Sequence, residues 1–229
     1  MVPVCIAGMA LNRSIVASIG KNPVDSATKA KKLGADIIEI RLDLLEIDMD
    51  MRLILQDLGK TGLPVIITNR MKQEGGAWSG GEAERILALI SLLPLADAVD
   101  IELCAENRDA VVKEAKSAGK MVIISTHDFK RTPGSEDMVE IINESFDSGA
   151  DIAKLAVTPN SLEDVLRLFD VTLHAKDAVC TIAMGEIGRH SRVIAPIYGS
   201  IMTYGYVESA TAPGQLRVDE IRSILKKIA

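Results

Sequence analysis

The chain has 229 residues, of which 48% are hydrophobic and 25% charged, and its formal net charge is −6. This length is ample for a sizeable core, and the ordinary charged and apolar content excludes wholesale disorder. A generic nucleic-acid surface should be strongly basic, so the acidic balance argues against a nucleic acid as partner. We therefore expect a folded protein with an acidic surface, on which any basic pocket of substrate size would be a local exception.

Targeting and redox signals indicate a cytoplasmic protein without a membrane partner. The longest nearly apolar stretch, 86–96, is interrupted by a serine and a proline and is too short to span a bilayer. No Lys or Arg precedes Arg13, so the charged region of a signal peptide is missing. The cysteines Cys5, Cys104 and Cys180 are far apart and lack the CxxC spacing, which favours reduced thiols.

Short β-branched runs alternate with longer helical patterns along the whole chain. Most of these runs are nearly continuous in apolar residues, as expected for parallel strands that are covered by helices. The helices between them have capping residues such as Ser161 at their starts and glycines such as Gly34 at their ends. The predicted strands are 15–19, 37–42, 65–69, 98–103, 121–126, 152–157, 178–183 and 200–204.

Eight strands with about eight helices in ~200–250 residues are typical of a (β/α)8 TIM barrel. A doubly wound open sheet is the alternative, but its first turn should carry a glycine-rich phosphate loop, and residues 18–22 lack that pattern. Residues 2–11, ahead of the first strand, are predicted to form a short hairpin that closes the barrel bottom. No linker or low-complexity segment interrupts the chain, so we predict one α/β barrel domain over 1–229.

Polar residues on the second predicted strand are the first candidates for a site. Because strand side chains alternate in direction, Glu39, Arg41 and Asp43 share one face, and the apolar residues between them share the other. Barrel enzymes place their chemistry at the carboxyl ends of the strands, so Glu39 and Arg41 are predicted to point into the barrel mouth. The alternative is a structural ion pair near the barrel top.

A lysine, Lys154, lies in the middle of the sixth predicted strand among apolar residues. Burial is costly for a lysine unless it is paired or neutral, and burial together with nearby cations lowers a lysine pKa. A free amine near neutral pH is the nucleophile that forms a Schiff base with a carbonyl substrate. The alternative is a lysine that reaches the barrel rim or pairs with Glu39 or Glu102.

His127 follows the fifth predicted strand, one strand away from Lys154, and histidine is the side chain best suited to proton transfer near pH 7. After the third strand, Arg70 could bind an anionic substrate group, and Glu74, in a glycine-flanked loop, could orient the histidine. A flexible surface loop is the alternative for this segment. Residues 210–215, after the eighth strand, have the composition of a lid that carries a hydroxyl and an amide.

Together these motifs resemble the type I 3-dehydroquinate dehydratase family. Each motif is weak alone, but they occur in order at successive strand ends from 18 to 215, and as an ordered set they are specific. The matching residues are 39–43, Arg70 with 74–76, 127–129, 154–157, 191–192, 199–200 and 212–215.

The resemblance implies a (β/α)8 barrel that converts 3-dehydroquinate to 3-dehydroshikimate and water in the shikimate pathway of aromatic amino-acid biosynthesis. It implies that Lys154 forms the Schiff base, that His127 is the general acid and base, and that Glu74 holds and polarises His127. Where the family often has Ser in the lid, this chain has Thr211. The implied substrate-binding residues are Ser18, Glu39, Arg41, Arg70, Arg192, Thr211 and Gln215.

Among these residues, Arg192 is the expected partner of a substrate carboxylate, because a guanidinium grips a carboxylate in a two-pronged geometry. The Schiff-base chemistry needs neither a metal nor an organic cofactor, so we expect none. Asp100 and Glu102 are ranked below the others, as a second layer around His127 or Lys154. The expected partner is the small molecule 3-dehydroquinate, and a homodimer is compatible with the sequence.

Two other functions are considered. A class I Schiff-base aldolase would share Lys154 but should carry a glycine-rich phosphate site after the seventh and eighth strands. The glycines there are scattered, although Arg189 and Arg192 supply positive charge. A catalytically silent barrel that binds a metabolite is the other alternative, and the presence of Lys154, His127 and Glu74 together argues against it.

Overall fold

The computed structural model describes residues 3–46 and 49–228. A short antiparallel hairpin pairs β1 (Cys5–Ile6) with β2 (Met9–Ala10). Eight parallel strands follow, and they are β3 (Ser14–Ile19), β4 (Ile37–Arg41), β5 (Val65–Thr68), β6 (Ala98–Glu102), β7 (Met121–Asp128), β8 (Ile152–Val157), β9 (Val179–Ala183) and β10 (Met202–Tyr206).

Helices connect the parallel strands and cover the outside of the sheet. Ser161 caps the helix that follows β8, as predicted, by accepting a hydrogen bond from the Asp164 backbone N–H at 3.4 Å. None of the helices in the described residues is long and apolar enough to cross a membrane. The helices are α1 (Pro23–Leu33), α2 (Met51–Gly59), α3 (Glu82–Leu92), α4 (Arg108–Ser117), α5 (Ser135–Asp147), α6 (Leu162–His174), α7 (Gly185–Gly188), α8 (Ser191–Ile194) and α9 (Val218–Ile228).

The strands form a nearly closed barrel. β3 to β9 pair in chain order, and β10 returns to pair with β3. Between β9 and β10 the seam is joined by the Ile201 N–H, which donates to the Val179 carbonyl at 2.9 Å. The Thr181 N–H also donates to Ser200 Oγ across this seam, at 3.1 Å. The predicted (β/α)8 barrel is confirmed, and the doubly wound alternative is wrong because the last strand lies beside the first barrel strand.

The predicted alternation of side chains is confirmed on β4. Ile38 and Ile40 point outward into the apolar layer between the strands and the helices. Ile37 points inward and belongs to the apolar cluster inside the barrel, and Glu39 and Arg41 continue this inward-facing row toward the carboxyl end. Apolar packing therefore fills the lower interior, and polar side chains begin one strand repeat above it.

The N-terminal hairpin closes the barrel at the end opposite the polar residues. Ile6 and Leu11 are buried and pack against interior residues near the strand starts, such as Val16 and Ile37. This confirms the predicted hairpin within residues 2–11, although Val2 lies outside the described residues. Burial of these side chains seals the apolar interior from water at that end.

Two strand boundaries differ from the prediction in ways that affect the site. β7 extends two residues beyond the predicted end, because His127 and Asp128 continue the ladder opposite Ala156 and Val157 of β8. The polar composition of this segment had suggested that the strand ends earlier. β10 begins and ends two residues later than predicted, and its interior row includes Tyr204. His127 is therefore fixed by strand pairing.

Candidate active site

A cavity lies at the carboxyl ends of the barrel strands, where polar side chains replace the apolar interior. Every residue predicted for the site lines this cavity. These residues are Ser18, Glu39, Arg41, Arg70, Glu74, His127, Lys154, Arg192, Thr211 and Gln215. The cavity also includes Phe129, which belongs to the matching segment 127–129, and Met184 and Tyr204, which were not singled out from the sequence.

Lys154 points into the barrel from β8, and its side chain is only 5% exposed. Its Nζ donates a hydrogen bond to Asp100 Oδ2 at 2.8 Å and lies 3.6 Å from Glu39 Oε1. The same nitrogen lies 3.9 Å from the centroid of the Tyr204 ring, a cation–π distance. The nearest charged groups are therefore carboxylates, not the cations that we expected. The predicted pairing with Glu39 is present, whereas Glu102 bonds to other residues.

A buried cluster of charges holds Asp100 in place. Arg70 Nη2 donates to Asp100 Oδ1 at 2.7 Å, while its Nη1 donates to Glu102 Oε1 at 2.9 Å and to Ser125 Oγ at 2.7 Å. Ser125 Oγ also donates to Asp100 Oδ1 at 2.7 Å. Burial alone would raise the pKa of Asp100, but Arg70 and Lys154 hold this pKa well below its usual range. Asp100 is thus an ionised carboxylate whose Oδ2 faces Lys154.

His127 and Glu74 form a second pair in the cavity. Glu74 Oε2 lies 2.8 Å from His127 Nδ1 and accepts the His127 backbone N–H at 2.9 Å. Burial, together with the nearby cations Arg70 and Lys154, lowers the pKa of His127 well below its ordinary value. The imidazole is therefore neutral at neutral pH. With Nδ1–H donated to Glu74, the other ring nitrogen is free to accept a proton.

The surroundings of Glu74 make its carboxyl less acidic than an exposed glutamate. Burial raises the pKa of Glu74 to about 7, even though Arg70 and a hydrogen bond from Cys104 act in the opposite direction. Cys104 Sγ donates to Glu74 Oε1 at 3.2 Å, and burial and the neighbouring Glu74 raise the pKa of this thiol to about 12. The thiol is therefore protonated and can donate at every physiological pH.

The loop after β5 is ordered by Asp43, and the flexible-loop alternative is wrong. Asp43 accepts two hydrogen bonds from Arg41, at 2.9 and 2.8 Å, and also accepts the backbone N–H groups of Arg70 at 3.2 Å and Ala77 at 3.0 Å. A side chain at Gly76 would lie 1.9 Å from the Arg70 carbonyl, so only glycine permits this close approach. The loop thereby delivers Glu74 to the cavity in a fixed position.

The same loop carries Trp78, the only tryptophan of the chain. Its indole N–H donates to the Gly81 carbonyl at 3.1 Å, and its ring packs beside Gly80. On the other side of the loop, Gly75 has a φ of 79° and lies against the Phe129 ring, where a Cβ would approach to 2.2 Å. Both aromatic rings therefore pack on the glycine-rich segment that follows Glu74.

The segment predicted to form a lid, residues 210–215, lies at the cavity, which is lined by Thr211, Ala212 and Gln215. Thr211 Oγ1 donates to Ser18 Oγ at 2.9 Å, and Ser18 Oγ donates to Glu39 Oε2 at 2.6 Å. Gln215 Oε1 accepts the backbone N–H of Thr211 at 2.7 Å. Gly214 approaches the Gly185 carbonyl so closely that a Cβ would lie 2.3 Å away. The Thr211 hydroxyl therefore joins this segment to β3.

Arg192, on α8, is a buried cation without an acidic partner among the described residues. Its Nη1 and Nη2 donate to the carbonyls of Tyr204 at 3.4 Å and Pro213 at 3.2 Å, and its Nε has no partner there. The residue is only 2% exposed, and burial lowers its pKa to about 10. A buried guanidinium with an unused N–H is suited to binding an anion that enters the cavity.

Sequence reasoning underrated or missed several groups around the amine. Asp100, which was ranked below the others, contacts Lys154 directly, and its inward parity on β6 was the signal available. Tyr204 was not singled out, although a polar aromatic on an interior strand is an unusual feature. Within the described residues, no group of three or more His, Cys, Asp or Glu side chains is arranged to hold a metal ion.

Comparison with known proteins gives one consistent match. The type I 3-dehydroquinase family pattern matches residues 14–229. A curated relative, the 3-dehydroquinate dehydratase of Methanosarcina barkeri, is 52% identical over 226 residues, which cover 93% of each chain.

Solved structures agree with this match. The 3-dehydroquinate dehydratase of Geobacillus kaustophilus has a TM-score of 0.92 at 26% identity and covers 99% of this chain and 96% of its own. The type I 3-dehydroquinate dehydratase of Clostridium difficile, solved with covalent modified comenic acid, has a TM-score of 0.91 at 29% identity. Its match covers 99% of this chain and 97% of that one.

Proposed function

The chain belongs to the type I 3-dehydroquinase family, and from this membership we propose that it dehydrates 3-dehydroquinate through a Schiff base on Lys154, with His127 as general acid and base. The curated relatives are 3-dehydroquinate dehydratases, so the chain is an enzyme of the carbon–oxygen lyase class in the shikimate pathway. The product of this dehydration is 3-dehydroshikimate, released with one molecule of water.

One observation carries the mechanistic proposal: a buried amine and a buried neutral imidazole line the same cavity on neighbouring strands. Lys154 on β8 pairs with Ser125 of β7, and His127 lies two residues further along β7 on the same interior face. A carbonyl carbon bound to Lys154 would therefore have His127 above it, toward the cavity mouth. This arrangement suits removal of a proton from a carbon next to the carbonyl.

The first step joins the substrate to Lys154. The Lys154 ammonium first loses a proton to solvent, while the ionised carboxylate of Asp100, at 2.8 Å, holds the amine in position. The free amine adds to the substrate ketone, and the carbinolamine loses water to form a protonated imine. This cation draws electrons from the adjacent carbon, so the proton on that carbon becomes easier to remove.

His127 then performs the proton transfers of the elimination. Its neutral imidazole removes the proton next to the imine, and the electron pair forms an enamine. The enamine expels the ring hydroxyl, which takes the proton from His127 and leaves as water. Glu74 stabilises the imidazolium that exists between these two steps, and water then hydrolyses the imine to release the conjugated enone and restore Lys154.

We assign the substrate carboxylate to Arg192, since this buried guanidinium has no acidic partner among the described residues and an unused Nε–H. Ring hydroxyls would be held by Glu39, Arg41 and Gln215, with Ser18 and Thr211 contributing through the lid. Hydrogen bonds of this kind orient the substrate so that the departing hydroxyl faces the base.

Arg70 was predicted to bind substrate, and its contacts also support a role in positioning Asp100. Two of its nitrogens already bond to Asp100, Glu102 and Ser125, so its main contribution is to fix Asp100 beside Lys154. Any contact with substrate would be additional to these internal bonds.

Borohydride trapping tests the proposal. The protein is incubated with 3-dehydroquinate, reduced with borohydride and analysed by intact and peptide mass, while the enone product is followed by its absorbance. We expect product formation and a reduced ligand adduct on Lys154. Product without an adduct would indicate an enolate mechanism and would remove the proposed role of Lys154.

Two variants make this experiment specific. Lys154→Met should lose the adduct and, roughly, at least a thousandfold in kcat, because the nucleophile is absent. Lys176→Met is the matched control, since Lys176 is exposed beyond the end of α6, and it should behave as the parent. An adduct that persists in Lys154→Met would place the Schiff base on another lysine.

The two alternatives from the sequence are not supported. An aldolase should have a glycine-rich phosphate site after β9 and β10, but Arg189 there is on the surface and pairs with Glu186. The matched relatives are dehydratases, which argues against both the aldolase and the silent barrel. We retain cytoplasmic location and a homodimer as predictions, which fractionation and light scattering would test.

A further inference from the structure

Arg85 is a nearly completely buried cation on α3, outside the barrel wall, and the proposed mechanism does not use it. The residue is 1% exposed. Its Nη1 donates to Glu102 Oε2 at 2.8 Å and to the Asn69 carbonyl at 2.6 Å. Its Nε and Nη2 donate to the two carboxylate oxygens of Glu82, at 2.7 and 2.8 Å. A buried arginine with this many charged contacts calls for a specific explanation.

These contacts connect α3 to the reactive amine through alternating charges. Each neighbouring pair in the series is joined by an N–O contact of 2.7 to 2.9 Å, and only the first member has an appreciably exposed side chain, at 26%. Every interior charge therefore has an opposite charge on each side. The series runs Glu82, Arg85, Glu102, Arg70, Asp100 and Lys154.

Glu102 is the member through which Arg85 can influence the site. Its Oε1 accepts Arg70 Nη1 at 2.9 Å and the Met71 N–H at 3.0 Å, and its Oε2 accepts Arg85. Without Arg85, one oxygen of a fully buried carboxylate would lose its cation. Arg70 would then be the only cation left to Glu102, and it would be drawn away from Asp100.

We propose that Arg85 is a positioning residue for the chemistry at Lys154, because it neutralises Glu102 and thereby leaves Arg70 to hold Asp100. Without Arg70, the negative charge of Asp100 is less neutralised and attracts the Lys154 ammonium more strongly, so the free amine forms less readily. The inference rests on the proposed function, since imine formation requires that free amine. It adds a residue outside the barrel wall to the set that controls the reaction.

The test compares Arg85→Met with Glu82→Gln. The first variant removes the cation with a side chain of similar length, while the second breaks only the outer, partly exposed end of the series. We measure the single-turnover rate of borohydride trapping on Lys154, together with kcat and KM. Arg85→Met should lower the trapping rate and kcat by roughly tenfold or more, with KM changed by less than about twofold. Glu82→Gln should behave as the parent.

A rescue variant separates positioning from general damage. In Arg85→Met/Glu102→Gln both outer charges are gone, so nothing draws Arg70 from Asp100, and most of the lost trapping rate should return. Arg85→Lys should lie between Arg85→Met and the parent. A merely structural role would lower the unfolding midpoint of Arg85→Met without changing the trapping rate of the folded protein, and this result would overturn the inference.

The remaining outcomes are also decisive. Failure of the double variant to recover, or a change confined to KM, would contradict the positioning role. If Arg85→Met does not fold, Arg85→Lys and the double variant decide the question. A parent protein that forms product but no adduct on Lys154 would instead contradict the proposed function, so the two failures are distinguishable.

Discussion

The two ends of the barrel interior differ sharply although the same strands build both. On β4, Ile37 belongs to the apolar lower interior, and Glu39, the next inward residue, lies in the cavity. On β8, Ile152 and Lys154 show the same change. One strand repeat therefore separates a region that stabilises the fold from a region that holds buried charges at an energetic cost.

This contrast teaches where stability and activity should separate. Lower-interior side chains contribute apolar burial and lie away from the reacting atoms, so their loss should weaken the fold without changing the chemistry. Side chains of the cavity are present for their chemistry, and several of them are expensive to bury. Substitutions in the lower interior should therefore change the free energy of unfolding but not kcat. Substitutions in the cavity should change the kinetics with little loss of stability.

The largest effect is expected for His127→Ala. If His127 is the general acid and base, as proposed, its loss should lower kcat by roughly 10²- to 10⁴-fold, while the free energy of unfolding should change little. Steady-state kinetics and denaturant unfolding measure the two quantities. His174→Ala, at an exposed histidine on α6, is the matched control. Retained kcat with a large loss of stability would reverse the expected signature.

Ile66→Ala tests the lower end. Ile66 is fully buried in the interior cluster, so its truncation should lower the free energy of unfolding by about 2–5 kcal/mol. We expect kcat of the folded variant to stay within about twofold of the parent. Leu53→Ala, at a side chain that is 56% exposed, should change neither quantity appreciably. A parallel fall in kcat would show that the two ends are coupled.

Arg192→Met sharpens the comparison at the cavity end. Loss of the carboxylate partner should raise KM by roughly 10- to 100-fold. Because no buried acid is left unpaired among the described residues, stability should be equal to or higher than that of the parent. Arg189→Met, which removes an exposed arginine nearby, is the control. A large loss of stability would mean that the contacts to the Tyr204 and Pro213 carbonyls are structural.

The smallest effect is a pH dependence of stability at Glu74. The pKa of Glu74 is about 7 in the folded protein, above its ordinary value near 4.5, because of burial. The contribution of this carboxyl to stability is therefore present below about pH 4.5 and is lost as the pH rises through about 7. Relative to Glu74→Gln, the parent should lose roughly 1–3 kcal/mol of unfolding free energy across this window. A constant difference would argue against the raised pKa.

Much of the barrel could be predicted from the sequence. Strands such as 152–157 are nearly continuous apolar runs, because both of their faces are buried in a parallel sheet, and this signal is local. Polar residues such as Glu39 and Lys154 interrupt these apolar runs at positions that face the barrel interior. Because polar residues are unusual at buried positions, they indicate where the cavity lies. The order of the strand ends along the chain then determined which residues would meet.

Contacts that depend on three-dimensional reach could not be predicted in the same way. Glu102 aligns with Ser125 and hence with Lys154, and it was one of the two alternative partners considered for the lysine, together with Glu39. The long lysine side chain instead reaches Asp100, which aligns with Ile152, two residues before Lys154 on β8. Arg85 was not predicted as a site residue. The sequence indicates that it lies on a helix, but not that its side chain reaches the carboxylate of Glu102 at the end of β6.

The single tryptophan gives this enzyme a built-in optical reporter. Trp78 lies four residues after Glu74 on the loop that Asp43 ties to β4, and its indole N–H is bonded within that loop. Indole emission therefore comes from one place in the molecule, on the loop that carries Glu74. Binding of substrate, or a shift of this loop, should change the colour and intensity of that emission. The arrival of ligand could then be timed without attaching a dye.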